Sequence, residues 1–87
     1  MARYRVFIKR SAAEELAAVA PNTDRQRLIA RIQTLAGAPR PDGCEKLAGY
    51  EDRYRVRQGD YRVVYAVDDA QRIVTIFKIG HRREVYR

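Results

Sequence analysis

Two stretches of this chain hold the side chains with the most scope for chemistry. The first is Tyr54-Arg55-Val56-Arg57-Gln58-Gly59-Asp60-Tyr61-Arg62-Val63-Val64-Tyr65. The second, near the end, is His81-Arg82-Arg83-Glu84-Val85-Tyr86. Together they set several guanidiniums, an imidazole and a phenol on strands or strand ends, where they could converge on one surface. Guanidinium binds phosphate through two parallel hydrogen bonds and keeps its charge at any physiological pH. A rigid sheet carrying such groups suits an RNA phosphate better than a small neutral metabolite. His81 is the side chain whose ordinary pKa, about 6.5, suits proton transfer near neutrality. Strand parity puts Arg53, Arg55 and Arg57 on one face of the first strand and Tyr54 and Val56 on the other. If Arg62 joins them from the second strand, like charges crowd one face, at a cost in stability that an arriving anion relieves.

The charge distribution agrees. The formal net charge is +7, with an isoelectric point near 10.1. Residues 1–10 contribute +4, residues 11–52 five basic against seven acidic groups, and residues 53–87 nine against four. The excess therefore falls on the strands expected below, and such a one-sided field steers polyanions and makes their binding salt-dependent. Of the 18 basic residues 15 are arginine, which again favours phosphate contacts. The single cysteine, Cys44, excludes an internal disulfide and a cysteine-rich zinc site. The start, Met1-Ala2-Arg3-Tyr4-Arg5, lacks an apolar signal-peptide segment, and no run approaches the ~20 apolar residues of a membrane span. A cytoplasmic protein without a membrane partner is expected.

The elements that must position these groups can be placed from periodicity. Residues 3–9 alternate as a strand, with Tyr4, Val6 and Ile8 on one face. Ser11 stands three before Glu14, a capping-box spacing that predicts a short helix over Ala12–Val19, and Pro21-Asn22 ends it. Thr23 with Gln26 repeats the device, and Leu28, Ile32 and Leu35 form the apolar stripe of a second helix, widened by Ile29 and Ala36. Gly37 and Pro39 stop it. Residues 37–49 read as a loop rich in breakers. Strands follow at about 53–58, 60–67 and 72–79, joined by tight turns at Gln58-Gly59-Asp60 and Asp68-Asp69-Ala70-Gln71. Val63–Val67 and Ile73–Phe77 are apolar on both faces, as central strands are. The order β-α-α-β-β-β predicts one α+β domain over residues 1–87, a mainly antiparallel sheet packed against a helical hairpin.

On Lys46-Leu47-Ala48-Gly49, Tyr54-Arg55-Val56-Arg57, Gly59-Asp60-Tyr61-Arg62-Val63-Val64-Tyr65 and Gly80-His81-Arg82-Arg83-Glu84-Val85-Tyr86, the chain resembles the RelE/ParE superfamily of type II toxin–antitoxin toxins, nearest to its RelE branch. The resemblance spans essentially the whole chain and implies a RelE-like fold. It implies a ribosome-dependent endoribonuclease that cleaves mRNA in the A site and is neutralised by a cognate antitoxin. The toxin alone would be a monomer that meets the ribosome, its ribosomal RNA and mRNA, and with antitoxin it would form a hetero-oligomer. Such a cut needs neither metal nor other cofactor: the ribose 2′-OH attacks phosphorus, the 5′-oxygen leaves, and a 2′,3′-cyclic phosphate remains. Arg62 and Arg82 match family arginines and would stabilise the phosphorane and the leaving group. Tyr86 matches a C-terminal tyrosine that stacks on a base or assists the cut. His81 falls where several relatives carry histidine and others lysine. Arg55 and Arg57 fall where relatives often carry lysines, and would anchor flanking phosphates, with Lys46 near by.

Two departures from the family pattern matter. Arginine at 55 and 57 makes proton abstraction there unfavourable, since guanidinium holds its proton tightly. The chain also ends one residue after Tyr86. Two further readings stand beside the nuclease: a ParE-like inhibitor that binds DNA gyrase and cuts nothing, and a binder of RNA or protein without catalysis. ParE-like chains generally lack the terminal His/Arg…Tyr constellation, which counts against the first of these.

Overall fold

The computed structural model describes residues 3–81. Its elements are β1 (Arg5–Ile8), α1 (Arg10–Ala17), α2 (Asn22–Thr34), β2 (Glu45–Lys46), β3 (Arg53–Gln58), β4 (Tyr61–Asp68) and β5 (Ile73–His81). The five strands form one sheet in the order β1-β5-β4-β3-β2. β1 runs parallel to β5, and every other pair is antiparallel. The α+β architecture expected from the sequence is therefore present, with one strand more: residues 45–46, read as loop, pair with Tyr54 and Arg55 of β3.

Register sorts the sheet into two faces. Val56, Val63 and Ile79 face one side in one row, and Tyr54, Tyr65 and Ile76 in the next. That side carries the core: Val56, Val63, Tyr65, Val67, Val74, Ile76 and Ile79 are buried together with Ala12, Leu28, Ile32 and Leu35 from the helical layer. Leu28, Ile32 and Leu35 are the i, i+4, i+7 stripe, and burying each is worth roughly 1.5–3 kcal/mol. Ile29, expected to widen the stripe, lies at its outer margin and is partly exposed.

Neither helix uses the cap its sequence offers. The N-cap positions are Lys9 and Pro21, without side-chain hydrogen bonds, so the helices begin before Ser11 and Thr23. Pro21 has φ −72°, the value its ring imposes, and it suits the entry to α2. α2 stops at Thr34, where a tighter turn takes over through bonds from the N–H groups of Leu35, Ala36 and Gly37 to the carbonyls three residues earlier.

The β3–β4 hairpin closes through the two residues Gly59 and Asp60, since Gln58 pairs directly with Tyr61. Gly59 has φ +61°, the left-handed conformation this tight turn needs. β4 and β5 carry a bulge: Val64 opposes Lys78 while Tyr65 opposes Ile76, leaving Phe77 as the extra residue. The bulge resets the alternation of β5, so Phe77 lies on the face turned away from the helices and Ile79 returns to the core, while the Lys78 ammonium reaches Glu15 of α1 at 3.0 Å. No described helix is long and apolar enough to cross a membrane.

Candidate functional site

The face turned away from the helices carries the arginines. Arg57 sits directly opposite Arg62, and Arg55 opposite Val64 one row along. The three guanidinium-bearing positions therefore share one face: parity puts Arg55 and Arg57 together, and the register adds Arg62. They line a hollow of about 380 Å³ at the β3 edge, together with Arg31, Gly43, Glu45 and Val56. β2 reaches only as far as Arg55, so the edge of β3 beyond it is left open at this point.

The environments of the three differ. Arg62, on a central strand, is buried to 3% exposure. Its charge acts in surroundings of low dielectric, where attraction to an anion is several-fold stronger than in water. Arg55 donates from Nε to Glu45 Oε1 at 2.8 Å, a pair with the guanidinium about a quarter exposed and the carboxylate well exposed. Such a pair orients Arg55 while contributing little to stability. Arg57 is exposed at the mouth. Among the described residues, four arginines and one carboxylate, Glu45, thus line a space large enough for a phosphate and part of its nucleotide.

The loop that walls this hollow is pinned from the core. The Tyr65 hydroxyl donates to the Pro39 carbonyl at 2.7 Å, and the Tyr65 ring stacks on Tyr54 at 5.9 Å between centroids. Burial, with Cys44 alongside, pushes the Tyr65 phenol well above its usual range. On the outer side Arg40 bonds Asp69 at 2.6 Å and Tyr54 at 3.0 Å, and the Tyr4 hydroxyl donates to Asp69 at 2.5 Å. The bonds from Arg40 and then Tyr4 hold the Asp69 carboxyl below the usual carboxylate range, while the bond to Asp69 raises the Tyr4 phenol. These contacts fix the loop at Pro39 and Arg40, just ahead of Gly43 and Glu45 in the wall of the hollow.

Two of the residues singled out from the sequence do not join this hollow. His81 pairs with Tyr61 and so lies on the helix-facing side, opposite to Arg62. Its ring meets the Tyr61 ring edge-on at 5.8 Å, and it lines a separate recess with Glu15 and Lys78. The bulge is the cause, because strict alternation from Phe77 would have put His81 on the arginine face. Lys46 pairs with Tyr54, faces away from Arg55 and is exposed. Arg82 and Tyr86 lie outside the described residues. Arg31 and Glu45 are members of the hollow that sequence reasoning passed over. Among the described residues no three His, Cys, Asp or Glu side chains gather as a metal-ion site.

Comparison with known proteins agrees with the fold. Residues 6–86 match the family model described as the ParE toxin of the type II toxin–antitoxin system parDE. A curated relative, Toxin RelE of Mycobacterium tuberculosis, is 49% identical over 37 residues, 42% of this chain and only 38% of that relative's length. The RelE chain in the archaeal RelE–RelB complex from Pyrococcus horikoshii is 32% identical, with TM-score 0.80 and coverage of 91% of this chain and 94% of that one. The RelBE2 toxin–antitoxin complex of Mycobacterium tuberculosis gives TM-score 0.80 at 23% identity, covering 92% of this chain and 99% of that one, and shares the fold.

Proposed function

We propose, for a chain that belongs to the RelE/ParE superfamily of type II toxins, that it is an endoribonuclease cutting mRNA in the ribosomal A site and held in check by a cognate antitoxin. The observation that carries this reading is the convergence of Arg55, Arg57 and Arg62 on one hollow, with Arg62 buried at its floor. In the reaction the ribose 2′-oxygen forms a bond to phosphorus as its proton leaves. The bond from phosphorus to the 5′-oxygen breaks, and that oxygen takes up a proton. Charge builds on the phosphorane, and preorganised cations in a poorly hydrated site stabilise it more than they stabilise the ground state. Arg62 has the placement for that role. Arg57 and Arg55 hold neighbouring phosphates, with Lys46 reserved for RNA approaching across β2. Arg82 is assigned to the leaving oxygen and Tyr86 to stacking on a base, on the strength of the family pattern. His81, on the opposite face, takes no part in this reading.

Guanidinium holds its proton too tightly to act as a base, and that weak intrinsic base is why this reading requires the ribosome. The complexes of similar toxins with RelB support an antitoxin as partner. The ParE name of the matching family supports a second reading, a gyrase-binding toxin without nuclease activity. The two separate in one assay: purified protein with programmed ribosomes, naked RNA, or gyrase and plasmid DNA. Cleavage only on ribosomes, leaving a 2′,3′-cyclic phosphate and lost in Arg62→Ala and Arg82→Ala, is expected. Efficient cutting of naked RNA, or gyrase inhibition with intact mRNA, contradicts it.

A further inference from the structure

The arginine hollow occupies one end of the open sheet face, and a second group of side chains continues across that face beyond it. Arg53 and Ala66 pair in one row, Ala66 with Thr75, and Thr75 with Phe7 of β1, so these positions face the same side as Arg55 and Arg57. The bulged Phe77 turns to that side as well. Three cations lie over the aromatic rings here. The Arg53 guanidinium sits 4.2 Å from the Phe77 ring centroid and 4.8 Å from that of Tyr50. The Lys9 ammonium is 5.7 Å from Phe77, and the Arg5 guanidinium 5.9 Å from Phe7. Among the described residues none of these three cations has a carboxylate within ion-pair distance, and Arg53 Nε is buried without a hydrogen-bond partner. Phe7 and Tyr50 are nevertheless half exposed, at 50% and 51%.

Exposed aromatic rings cost solvation, and unneutralised cations beside them repel one another. The combination suits a ligand that brings both negative charge and flat rings. Single-stranded RNA brings both: phosphates for the cations and bases for the ring faces. Neither an apolar helix nor a DNA duplex fits as well, since the first carries no charge and the second keeps its bases stacked inside. The distance is suitable too. Arg53 lies four residues along β3 from Arg57, about 13 Å at ~3.3 Å per residue. A strand leaving the hollow meets the ring cluster within a few nucleotides. Asp68 also faces this side at the far hairpin end, with Oδ1 accepting from the Gln71 N–H, and it marks where the cationic track stops.

We infer that Phe7, Tyr50, Arg53 and Phe77 form a stacking platform for single-stranded RNA flanking the cleaved linkage. The inference deepens the nuclease reading and rests on it for the choice of RNA, but it concerns binding and is tested without cleavage. The probes are 2′-O-methyl oligonucleotides, which cannot be cut, of five and twelve residues, with a twelve-base-pair DNA duplex as comparison. Affinity for the full chain is read by fluorescence anisotropy. The twelve-mer is expected to bind at least ten-fold tighter than the five-mer. The double variant Phe7→Leu/Tyr50→Leu, at two half-exposed positions, is expected to remove about ten-fold of that advantage, since base stacking on a ring is worth roughly 1–3 kcal/mol. Its affinity for the five-mer should be unchanged. Equal affinities of the parent for both lengths overturn the platform, as does an equal loss on both lengths in the variant, or a duplex bound as tightly as the twelve-mer. A ribosomal cleavage assay on the same preparation reports separately on the nuclease, so each can fail without the other.

Discussion

Replacing Arg57 by glutamine should stabilise the protein while weakening its hold on RNA. Arg57 and Arg62 are direct cross-strand partners, so their Cβ atoms are about 5 Å apart and their charges roughly 7 Å. Coulomb repulsion at that separation is about 0.6 kcal/mol in water-like surroundings and about 2.4 kcal/mol at an effective dielectric of 20. Arg57 is exposed, which favours the lower figure, and like-charged cross-strand pairs cost about 0.2–1 kcal/mol. A gain of about 0.5 kcal/mol corresponds to a rise in Tm of about 2–4 °C for a domain this small. The same variant should gain less from ligand. An uncleavable oligonucleotide at ten times its Kd stabilises the parent by about 1.4 kcal/mol through linkage, and the variant, with a weaker Kd, by less. Calorimetry with and without the oligonucleotide checks both halves. A variant that melts below the parent, or that gains as much from the ligand, refutes the view that the fold tolerates repulsion here for the sake of an anion.

Tyr65→Phe removes the hydroxyl bonded to the Pro39 carbonyl and should cost about 1–2 kcal/mol in chemical denaturation, with faster hydrogen exchange in the loop that follows. An unchanged exchange rate there would mean that this bond does not hold the wall of the hollow. Leu28→Ala opens a cavity at a position with no exposure and should cost about 2–5 kcal/mol by the same measurement. On acidification, the stabilisation from Asp69 is fully present above its ordinary pKa near 3.8 and is lost as pH falls through the lower folded value. Asp69→Asn should therefore flatten the acid limb of the pH–stability curve, and a limb of unchanged steepness counts against the Arg40 and Tyr4 bonds as its source.

Much of this fold could be read from period and punctuation. The Leu28, Ile32, Leu35 stripe, the Gly59-Asp60 turn and the doubly apolar β4 and β5 each rest on several residues that agree, so the elements formed where expected. The helix starts did not follow Ser11 and Thr23: one cap bond is worth only about 1 kcal/mol, so a cap signal alone does not fix where a helix begins. β2 escaped notice since two residues between breakers carry no period. Glu45 escaped with it, as only the pairing of β2 with β3 reveals what it faces, and Arg31 escaped because the period of α2 does not say which strand edge the helix adjoins. Arg55 and Arg57 were legible as a pair through parity, and Arg62 joined them only once the hairpin register was known. His81 was not, because a bulge one residue long reverses every position after it and leaves no mark in composition. The aromatic group was hidden for a related reason: Phe7, Tyr50 and Phe77 are far apart in sequence and come to one face only through the order β1-β5-β4-β3.

The central claim is that the cationic hollow acts on mRNA engaged by the ribosome. Its most direct test is to induce the chain in growing cells and map the 5′ ends of mRNA fragments within minutes. Cuts inside reading frames, in phase with codons, absent from untranslated RNA and lost with Arg62→Ala, are the expected result. Intact messages alongside trapped breaks in gyrase-bound DNA would contradict it.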